Sequence, residues 1–285
     1  MAIDYPAILS LREEGRRFTY SERDTMLYAL GVGMGDDPLD ESVLPFVYER
    51  ELRAVPTLAT VVAWGAGVST EKLGVNYRQV LHGEEQTILH RPMPVSAMIV
   101  ADSSVSEVYD KGEGRGAVIV RRTVLRDEAD GQAIATLNRT IVARADGGGG
   151  GSLAASPTPH PIPERTPDVV LEYQTHGNQA ALYRLCGDRN PLHIDPERGR
   201  AAGFKGPILH GLCTYGFTCR AVLQAFCDQD PSLIASHQVR FSSPVYPGES
   251  LQIALWRDGP VISFEATVKE RGAVVIRNGK SLLRE

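Results

Sequence analysis

A glycine- and proline-rich segment near the midpoint constrains the fold of this chain more than any other feature. Five consecutive glycines, Gly147–Gly151, are followed by five prolines between Pro157 and Pro167. Glycine disfavours regular backbone and proline lacks the N–H that helices and sheets use, so no regular element can run through this segment. It predicts a linker at 146–167 between an N-terminal unit, 1–145, and a C-terminal unit, 168–285.

The two units share one order of elements. Each has a helical segment ending at glycine, a second helix-like segment and a series of turn-separated β-rich runs. LYALGVG at Leu27–Gly33 also matches LYRLCGD at Leu182–Asp188 at a constant offset of 155. Order, element type and residues agree, which indicates an internal duplication. Each antiparallel sheet must bury its apolar face on a helix, so the chain is expected to be a two-domain α+β protein.

The boundaries of the predicted elements follow from capping and turn residues. In the first unit, helices are expected from Arg23, capped by Thr19 or Ser21, and near Thr57–Trp64, with strands from Gln86 onwards. In the second unit, one helix is expected within 170–188 and another at Gly211–Cys227, followed by four strands.

Composition excludes several classes of function. The net charge is −5 with both signs interspersed, so the chain carries no basic footprint for nucleic acid. The longest apolar runs, such as Leu58–Ala63, are far shorter than the roughly 20 residues of a membrane helix. The N-terminus has no signal-peptide pattern. The four cysteines form no CxxC pair, which favours a reduced, cytoplasmic protein.

The richest chemistry lies between Tyr183 and Thr214. Asp188, Asn190 and His193 fall within six residues, and Pro191 forces the chain out of helix. An acid, an amide and an imidazole in one turn can hold and activate a water. Gly211 follows at the start of a predicted helix, where backbone N–H groups can stabilise developing negative charge.

Each of these residues has a structural explanation when taken singly. Aspartate and asparagine favour turns, and an isolated histidine is more often structural than catalytic. A metal site of His193, Asp195 and His210 is conceivable, but its spacing matches no established zinc motif. No GxSxG is present. The helical stripe Leu212, Tyr215, Cys219, Val222 and Phe226 is expected to be core, which removes Cys219 from the chemistry.

The segment GDRNPLHIDPERGRAAGFKGPILHGLCT closely resembles the signature of the MaoC-like, (R)-specific enoyl-CoA hydratases, also called hydratase 2. Further matches lie at 28–33, 76–94, 108–119, 147–151 and 239–251, so the resemblance covers nearly the whole chain. It is similar to the hydratase part of the multifunctional enzymes of type 2. The resemblance implies a double hot-dog fold, in which two helix-in-sheet units are joined and only the second is catalytic.

The resemblance also implies the reaction and its residues. The reaction is reversible hydration of trans-2-enoyl-CoA to (3R)-3-hydroxyacyl-CoA, in β-oxidation or hydroxyacyl-CoA supply. Asp188 and His193 are implied as the catalytic pair, Asn190 as their support, and Gly211 as the N–H donor to the thioester oxygen. The implied CoA-binding residues are His82, Gly83, Lys111 and Phe241. Which member of the pair is acid and which is base stays open.

The remaining expectations concern ligands and substrate. No cofactor and no metal are expected, since the acyl-CoA thioester is the substrate, and neither nucleic acid nor membrane is an expected partner. A homodimer is expected by resemblance. The glycine-rich loop around Gly33 is expected to leave space for a long acyl chain. Alternatives are a dehydratase or hydratase of a branched, dicarboxylic or carrier-bound thioester, and a non-catalytic acyl-CoA-binding subunit.

Overall fold

A computed structural model of the protein describes residues 4–76, 79–149 and 156–284. It contains ten β-strands and seven α-helices within those ranges. The strands are β1 (Arg12–Tyr20), β2 (Val80–Leu89), β3 (Ala97–Asp110), β4 (Ala117–Asp127), β5 (Ala133–Ala143), β6 (Val169–Gln174), β7 (Ile234–Phe241), β8 (Ser250–Asp258), β9 (Val261–Val268) and β10 (Ala273–Leu283). The helices are α1 (Tyr5–Ser10), α2 (Glu22–Gly31), α3 (Leu44–Val47), α4 (Ala59–Val62), α5 (Gln179–Tyr183), α6 (Pro196–Ala201) and α7 (Gly211–Phe226).

The strands form one antiparallel sheet whose order reads almost the same from either end. The order is β1-β3-β4-β5-β2-β7-β10-β9-β8-β6. Each strand of the first half has a counterpart in the second half, from β1 with β6 to β5 with β10. When every strand is replaced by its counterpart, the order is the same one read from the other end. The halves meet where β2 pairs with β7. This arrangement is what a duplicated unit joined to its own copy produces.

Helix α7 is the centre of the second half. It packs against all five strands from β6 to β10. The predicted stripe is buried at Leu212, Tyr215, Cys219 and Val222, and Phe226 is partly buried. Burying one such large apolar side chain stabilises the fold by about 1.5–3 kcal/mol. At Gly216 a Cβ would lie 2.4 Å from Val32 Cγ1, so a glycine is needed where α7 crosses the end of α2.

The first half has a much shorter helix in the corresponding place. A 3-10 turn at Pro56–Leu58 runs into α4, and the chain leaves helix after Val62. Gly65 then adopts φ +81°, a left-handed conformation that stops the helix from continuing. This shortening determines where the molecule has space inside.

Most predicted elements are confirmed, with two exceptions. Four predicted strands in each half are present, and Ser21 caps α2. The single helix predicted within 170–188 is wrong: strand β6 comes first, and helix begins only at Gln179. Strand β1 was not predicted, because its run of charged residues hides the alternation of an edge strand. Of the predicted linker, 150–155 lies outside the described residues.

No helix in the described ranges is both long and apolar enough to cross a membrane. The four cysteines are all free thiols.

Candidate active site

Asp188 is placed by a glycine that touches the first half of the molecule. Helix α5 continues into a 3-10 turn at Arg184–Cys186 and ends at Gly187, which has φ +153°. A Cβ on Gly187 would lie 3.0 Å from Trp64 Cβ, so only glycine lets the two halves approach here. Asp188 therefore follows at a junction between the halves.

The turn after Asp188 is held by its own polar side chains. The Asn190 N–H donates to Asp188 Oδ1 at 3.0 Å, and the Leu192 N–H donates to Asn190 Oδ1 at 3.0 Å. These are the turn-stabilising contacts that aspartate and asparagine commonly make. Pro191 then starts a one-turn 3-10 helix that ends at His193. Asn190 thus fixes the backbone of this loop.

His193 is buried and oriented by a backbone carbonyl. Its Nδ1 lies 2.8 Å from the Ile208 carbonyl oxygen. A carbonyl can only accept, so Nδ1 carries the hydrogen and Nε2 keeps its lone pair. Burial lowers the pKa of His193 below its usual range, although the Ile208 carbonyl and Asp188 act in the opposite direction. The ring is therefore neutral at pH 7, with Nε2 free to take a proton.

His210 completes the cluster. Its ring stacks on His193, with centroids 3.8 Å apart, and its Nε2 donates to the Asp188 backbone carbonyl at 3.0 Å. Burial, with the adjacent His193, lowers its pKa as well. The residue precedes Gly211, so it fixes the start of α7 against the Asp188 loop. The one signal in the sequence for this role was the position of His210 directly before Gly211 in the segment HGL.

Three side chains, those of Asp188, His193 and His210, each offer an atom within 4.8 Å of the others. The sequence suggested Asp195 as the acid of a possible metal set, and that assignment is wrong. Asp195 instead caps α6 by accepting from the Glu197 N–H at 2.8 Å. The cluster combines two neutral imidazoles with one carboxylate, a set that suits proton transfer and that also could ligate zinc.

Gly211 lies opposite two of the implied CoA-binding residues. It is the first residue of α7, where the N–H groups have no partner within the helix. A Cβ on Gly211 would lie 3.2 Å from the Phe241 ring, and the Phe241 ring centroid lies 4.7 Å from that of His82. His82, Phe241 and Gly211 are therefore brought together, one from the first half and two from the second.

Gly83 lies on β2, and Lys111 follows β3 close to Glu84, the next residue of β2. The register between β2 and β5 shifts between His82 and Glu84, so Gly83 occupies a β-bulge. Lys111 is exposed in the turn after β3. Burial raises the pKa of Glu84, and the positive charge of the nearby Lys111 acts in the opposite direction. Gly148 donates to Asp110 at 2.9 Å, so part of the glycine cluster packs on the Lys111 turn. Gly150 and Gly151 lie outside the described residues.

A row of buried charges crosses three strands beside this cluster. Glu85 on β2 pairs in register with Arg139 on β5, which pairs in turn with Arg121 on β4. Arg139 Nε donates to Glu85 Oε2 at 2.7 Å, and His82 Nε2 lies 2.9 Å from the same oxygen. Burial is the largest single influence and raises the pKa of Glu85, but Arg139 and His82 together outweigh it and the net pKa is lowered. Glu85 is thus an ion buried with its partner.

The sequence contained a signal for this row that was overlooked. Arg121 is in phase with Ile119, Thr123 and Leu125, which all face the interior. Arg139 is likewise in phase with the buried residues Leu137 and Ile141. Strands alternate with a period of two, so charged residues at inward positions indicate a buried polar site.

A cavity of about 270 Å³ lies where the first-half helix is short. One wall is the segment from Thr60 to Thr70, and the other includes Arg121, Thr123, Leu137 and Arg139. Trp64 belongs to its wall and is also the residue that meets Gly187, so the cavity adjoins the Asp188 loop. The Arg139 guanidinium lies over the Trp64 ring, 5.4 Å from its centroid.

The expectation that the loop around Gly33 leaves the acyl space is wrong in its location. A Cβ on Gly33 would lie 2.4 Å from Arg220 Nη1 and 2.8 Å from Phe217 Cε1. The loop is therefore tightly packed against α7, and the cavity described above lies beyond α4.

The cysteines of α7 take no part in the site. Cys213 and Cys219 are completely buried, and burial raises their pKa values, that of Cys219 to about 12. Cys213 Sγ donates to the Gly31 carbonyl at 3.3 Å. Both are packing residues, as the helical stripe predicted for Cys219.

Comparison with known families matches both halves of the chain. Residues 159–279 match the MaoC like domain, and residues 18–145 match the MFE-2 hydratase 2 N-terminal domain. The peroxisomal multifunctional enzyme type 2 of Mus musculus is 40% identical over 91% of this chain, but the match spans only 36% of that protein. The enoyl-CoA hydratase ChsH3 of Mycobacterium tuberculosis is 36% identical over 99% of both chains.

Solved structures agree with the architecture. A MaoC-like dehydratase from Phytophthora capsici superimposes with a TM-score of 0.88 at 34% identity, covering 98% of each chain. A Mycobacterium tuberculosis protein described as a double hotdog fold superimposes with a TM-score of 0.57 at 15% identity, covering 96% of each, which supports the fold alone. The expected α+β double hot-dog is confirmed. Full-length matches above 30% identity, together with both halves of the family architecture, make the chain a member of the MaoC-like enoyl-CoA hydratase 2 family.

Proposed function

We propose that this protein is a hydro-lyase that reversibly adds water to trans-2-enoyl-CoA, giving (3R)-3-hydroxyacyl-CoA. The observation that carries the proposal is the placement of His193 Nε2 and Asp188 beside the N-terminus of α7. A relative that matches over its full length is named an enoyl-CoA hydratase. Hydration of a 2-enoyl-CoA is consistent with β-oxidation, and the same reaction can supply hydroxyacyl-CoA.

The geometry supplies a complete proton cycle. A water oxygen attacks C3 of the enoyl thioester while one water proton passes to His193 Nε2. The C2=C3 electron pair moves toward C1, so negative charge develops on the thioester oxygen as an enolate. The imidazolium then returns a proton to C2, which leaves the ring neutral and the product carrying one added water. No other reactant is needed.

Gly211 and Asp188 stabilise the two charges of that intermediate. The Gly211 N–H has no partner within α7 and is the proposed donor to the enolate oxygen. Removing one such donor typically costs about 2.7–4 kcal/mol of barrier. The Asp188 carboxylate favours the imidazolium form of His193. Burial lowers the pKa of His193, and the negative charge of Asp188 acts to raise it. Asn190 holds the Asp188 turn in place.

His82, Gly83, Lys111 and Phe241 form the proposed CoA-binding edge. Phe241 packs against both Gly211 and His82, so it can define the channel that guides the thioester to the helix N-terminus. Lys111 is exposed and can meet a phosphate, which a chain of net charge −5 must bind through local cations.

The test is loss of the ultraviolet absorbance of the enoyl thioester, using crotonyl-CoA and a longer enoyl-CoA. Asp188→Asn and His193→Ala are expected to lose roughly 10²–10⁴-fold in kcat, the usual contribution of acid–base groups. Asp195→Asn is the matched control, since that carboxylate only caps α6. An inactive wild type, or catalytic variants as active as the control, would contradict the proposal. Chiral chromatography of the product tests the (3R) configuration.

The absence of a cofactor or metal is also proposed. Asp188, His193 and His210 could hold a cation, but the proton cycle above uses only their protonation states. Activity is therefore expected to survive exhaustive dialysis against EDTA. A loss that zinc restores would mean that the cluster works as a metal centre.

Assembly and location complete the proposal. A homodimer is supported by the resemblance to the family alone. Sedimentation at several protein concentrations tests it. A cytoplasmic location is supported by the four free thiols and is tested by fractionation, although a plant relative is named peroxisomal.

A further inference from the structure

The cavity beside the Asp188 loop contains more positive charge than the protein neutralises. The charged side chains in its described wall are Arg121 and Arg139. Arg139 is paired with Glu85, whereas Arg121 has no carboxylate within ion-pair distance among the described residues. The buried row of Glu85, Arg139 and Arg121 therefore has one more cation than anion. His82, next to Glu85, adds no charge at pH 7, since burial lowers its pKa.

Arg121 is held in place with hydrogen-bonding capacity to spare. Its Nη1 donates to the Val68 carbonyl at 2.9 Å, which fixes the guanidinium at the cavity wall. Its Nε is buried and has no hydrogen-bond partner among the described residues. Burial lowers the pKa of Arg121 to about 10, with the nearby Arg139 as a second cause, so the side chain is still charged at pH 7. A buried, unneutralised guanidinium is costly unless an anion joins it.

The rest of the cavity wall suits an acyl chain that ends in a polar group. Ala63, Trp64 and Leu137 offer apolar surface, whereas Ser69 and Thr70 add hydroxyl groups on the Arg121 side. The cavity also adjoins the catalytic cluster: Trp64 meets Gly187, and the Asp188 charge contributes to the raised pKa of Arg139. An acyl tail leaving the Asp188 loop would pass Trp64 before it reached Arg121.

We infer that this cavity receives the far end of the acyl chain and that Arg121 pairs there with a carboxylate on that end. The preferred substrates are then enoyl-CoA thioesters whose acyl chain ends in a second carboxylate. This inference rests on the proposed function for the reaction, and it adds the class of acyl group. A carboxylate can accept two parallel hydrogen bonds from one guanidinium, which matches the spare donors of Arg121.

Binding and turnover together test the inference. The binding probes are two saturated CoA thioesters of equal carbon number, one ending in a methyl group and one in a carboxylate, in a series of chain lengths. Because saturated thioesters cannot be hydrated, calorimetry reports binding whether or not the chain is a hydratase. The corresponding 2-enoyl thioesters then report turnover.

Arg121→Met is the test variant, and Arg122→Met is its control. Arg122 is the next residue on β4, carries the same charge and lies exposed on the opposite face of the sheet. Wild type should bind the carboxylate-ended thioester of the best length more tightly than its methyl-ended partner. Arg121→Met should weaken that binding roughly 10–100-fold, the range expected from the loss of one hydrogen bond to a charged group. The methyl-ended thioester should bind as well or better, and Arg122→Met should resemble wild type.

Three outcomes would overturn the inference. One is the absence of any preference for the carboxylate-ended chain at every length. Another is equal weakening of both thioesters by Arg121→Met in a variant whose thermal unfolding is unchanged. The third is a matching loss of affinity for free CoA, which would assign Arg121 to the CoA phosphates. A clear carboxylate preference without turnover of any enoyl thioester would instead support the cavity assignment and contradict the proposed reaction.

Discussion

The two halves begin their central helix at the same point and then differ. At the offset of 155 that relates the halves, Pro56 corresponds to Gly211 and Val55 to His210. Helical structure starts at both positions, but it lasts through Val62 in the first half and through Phe226 in the second. The long helix supplies a free N–H at its start and a buried core along its length. The short one leaves the cavity.

The same offset shows how the first half lacks the chemistry. Gly33 stands where the second half has Asp188, and Pro38 stands where it has His193. Pro56 has no backbone N–H, so the position equivalent to Gly211 has no donor to offer to an oxyanion. One half therefore carries the groups proposed to react, and the other half has the cavity.

The largest expected effect comes from replacing Gly211, the first residue of α7, with proline, the residue at the equivalent position of the first half. Gly211→Pro removes the N–H while keeping a residue that is favourable at the first helical position. We expect kcat to fall about 10²–10³-fold, the usual cost of losing one oxyanion donor. Enoyl-CoA hydration measures it.

Gly211→Ala is the control for that change, because it keeps the N–H but also places a Cβ 3.2 Å from the Phe241 ring. If alanine and proline reduce kcat equally, crowding against Phe241 explains the loss and the N–H has no special role.

The second-largest effect is expected from a change in the packing of the loop around Gly33. This loop holds, in the first half, the position that the Asp188 turn holds in the second. Gly33→Ala places a methyl group against Phe217 and Arg220 at a φ of +80°, which is strained for any residue with a side chain. Strain of that kind and overpacking together are expected to lower the free energy of unfolding by about 2–4 kcal/mol. Urea denaturation measures it. Gly35→Ala has the same φ with its nearest neighbour at 3.6 Å, so it should cost clearly less.

A smaller effect is expected from filling the cavity that the short helix leaves. A Cβ on Gly67 would have no neighbour closer than 3.8 Å, so Gly67→Leu can extend into the cavity without disturbing the fold. We expect kcat/KM for a long-chain enoyl-CoA to fall at least ~10-fold, equivalent to about 1.4 kcal/mol. Crotonyl-CoA, which is too short to reach the cavity, should be unaffected. Equal losses on both substrates would place the acyl chain elsewhere.

The smallest effect concerns the contact between the two halves, where β2 pairs with β7. His237 on β7 is completely buried and lies opposite Thr87 on β2. The Tyr215 hydroxyl donates to the His237 carbonyl at 2.7 Å and accepts from the Thr87 hydroxyl at 2.9 Å. Burial lowers the pKa of His237 to about 3. The folded state therefore keeps this ring neutral while the unfolded state takes up a proton below about pH 6.5.

The stability that depends on neutral His237 is complete above pH 6.5 and is lost as the pH falls toward 3. Between pH 6 and pH 5 the loss should be about 1 kcal/mol for this site. Denaturant unfolding at the two pH values measures the slope, and His237→Gln should make it shallower by that amount. An unchanged slope would mean that the ring is already protonated or is accessible when folded.

Local patterns predicted most of the strands and located the loop that is proposed to react. The strands after Gln86 alternate clearly, and the cluster from Asp188 to His193 lies within one loop, so both could be found from neighbouring residues. The resemblance supplied the partners that are distant in sequence, such as Phe241. What neither supplied depends on contacts across the sheet: Arg121 and Arg139 lie in different strands, and only register shows that they meet Glu85.

The pattern around β6 shows a different limit. Val169–Gln174 contains enough helix-forming residues to extend the following helix, but its backbone pairs along the edge of the sheet with β8. Pairing with a distant strand overrides weak local propensity. Similarly, Gly33 looked like a source of space because glycine is small, whereas its neighbours pack directly against it.

The near-symmetric order of the strands has a consequence for how such a protein can change. In an assembly of two identical subunits, every substitution is made twice, so a residue cannot improve one site without altering the other. Here the two copies are one chain, and each substitution is made once. Pro56 and Gly211 could therefore diverge, as could the two helix lengths. Joining the copies permits division of labour, in which one copy can adapt to new acyl groups while the other conserves the reaction.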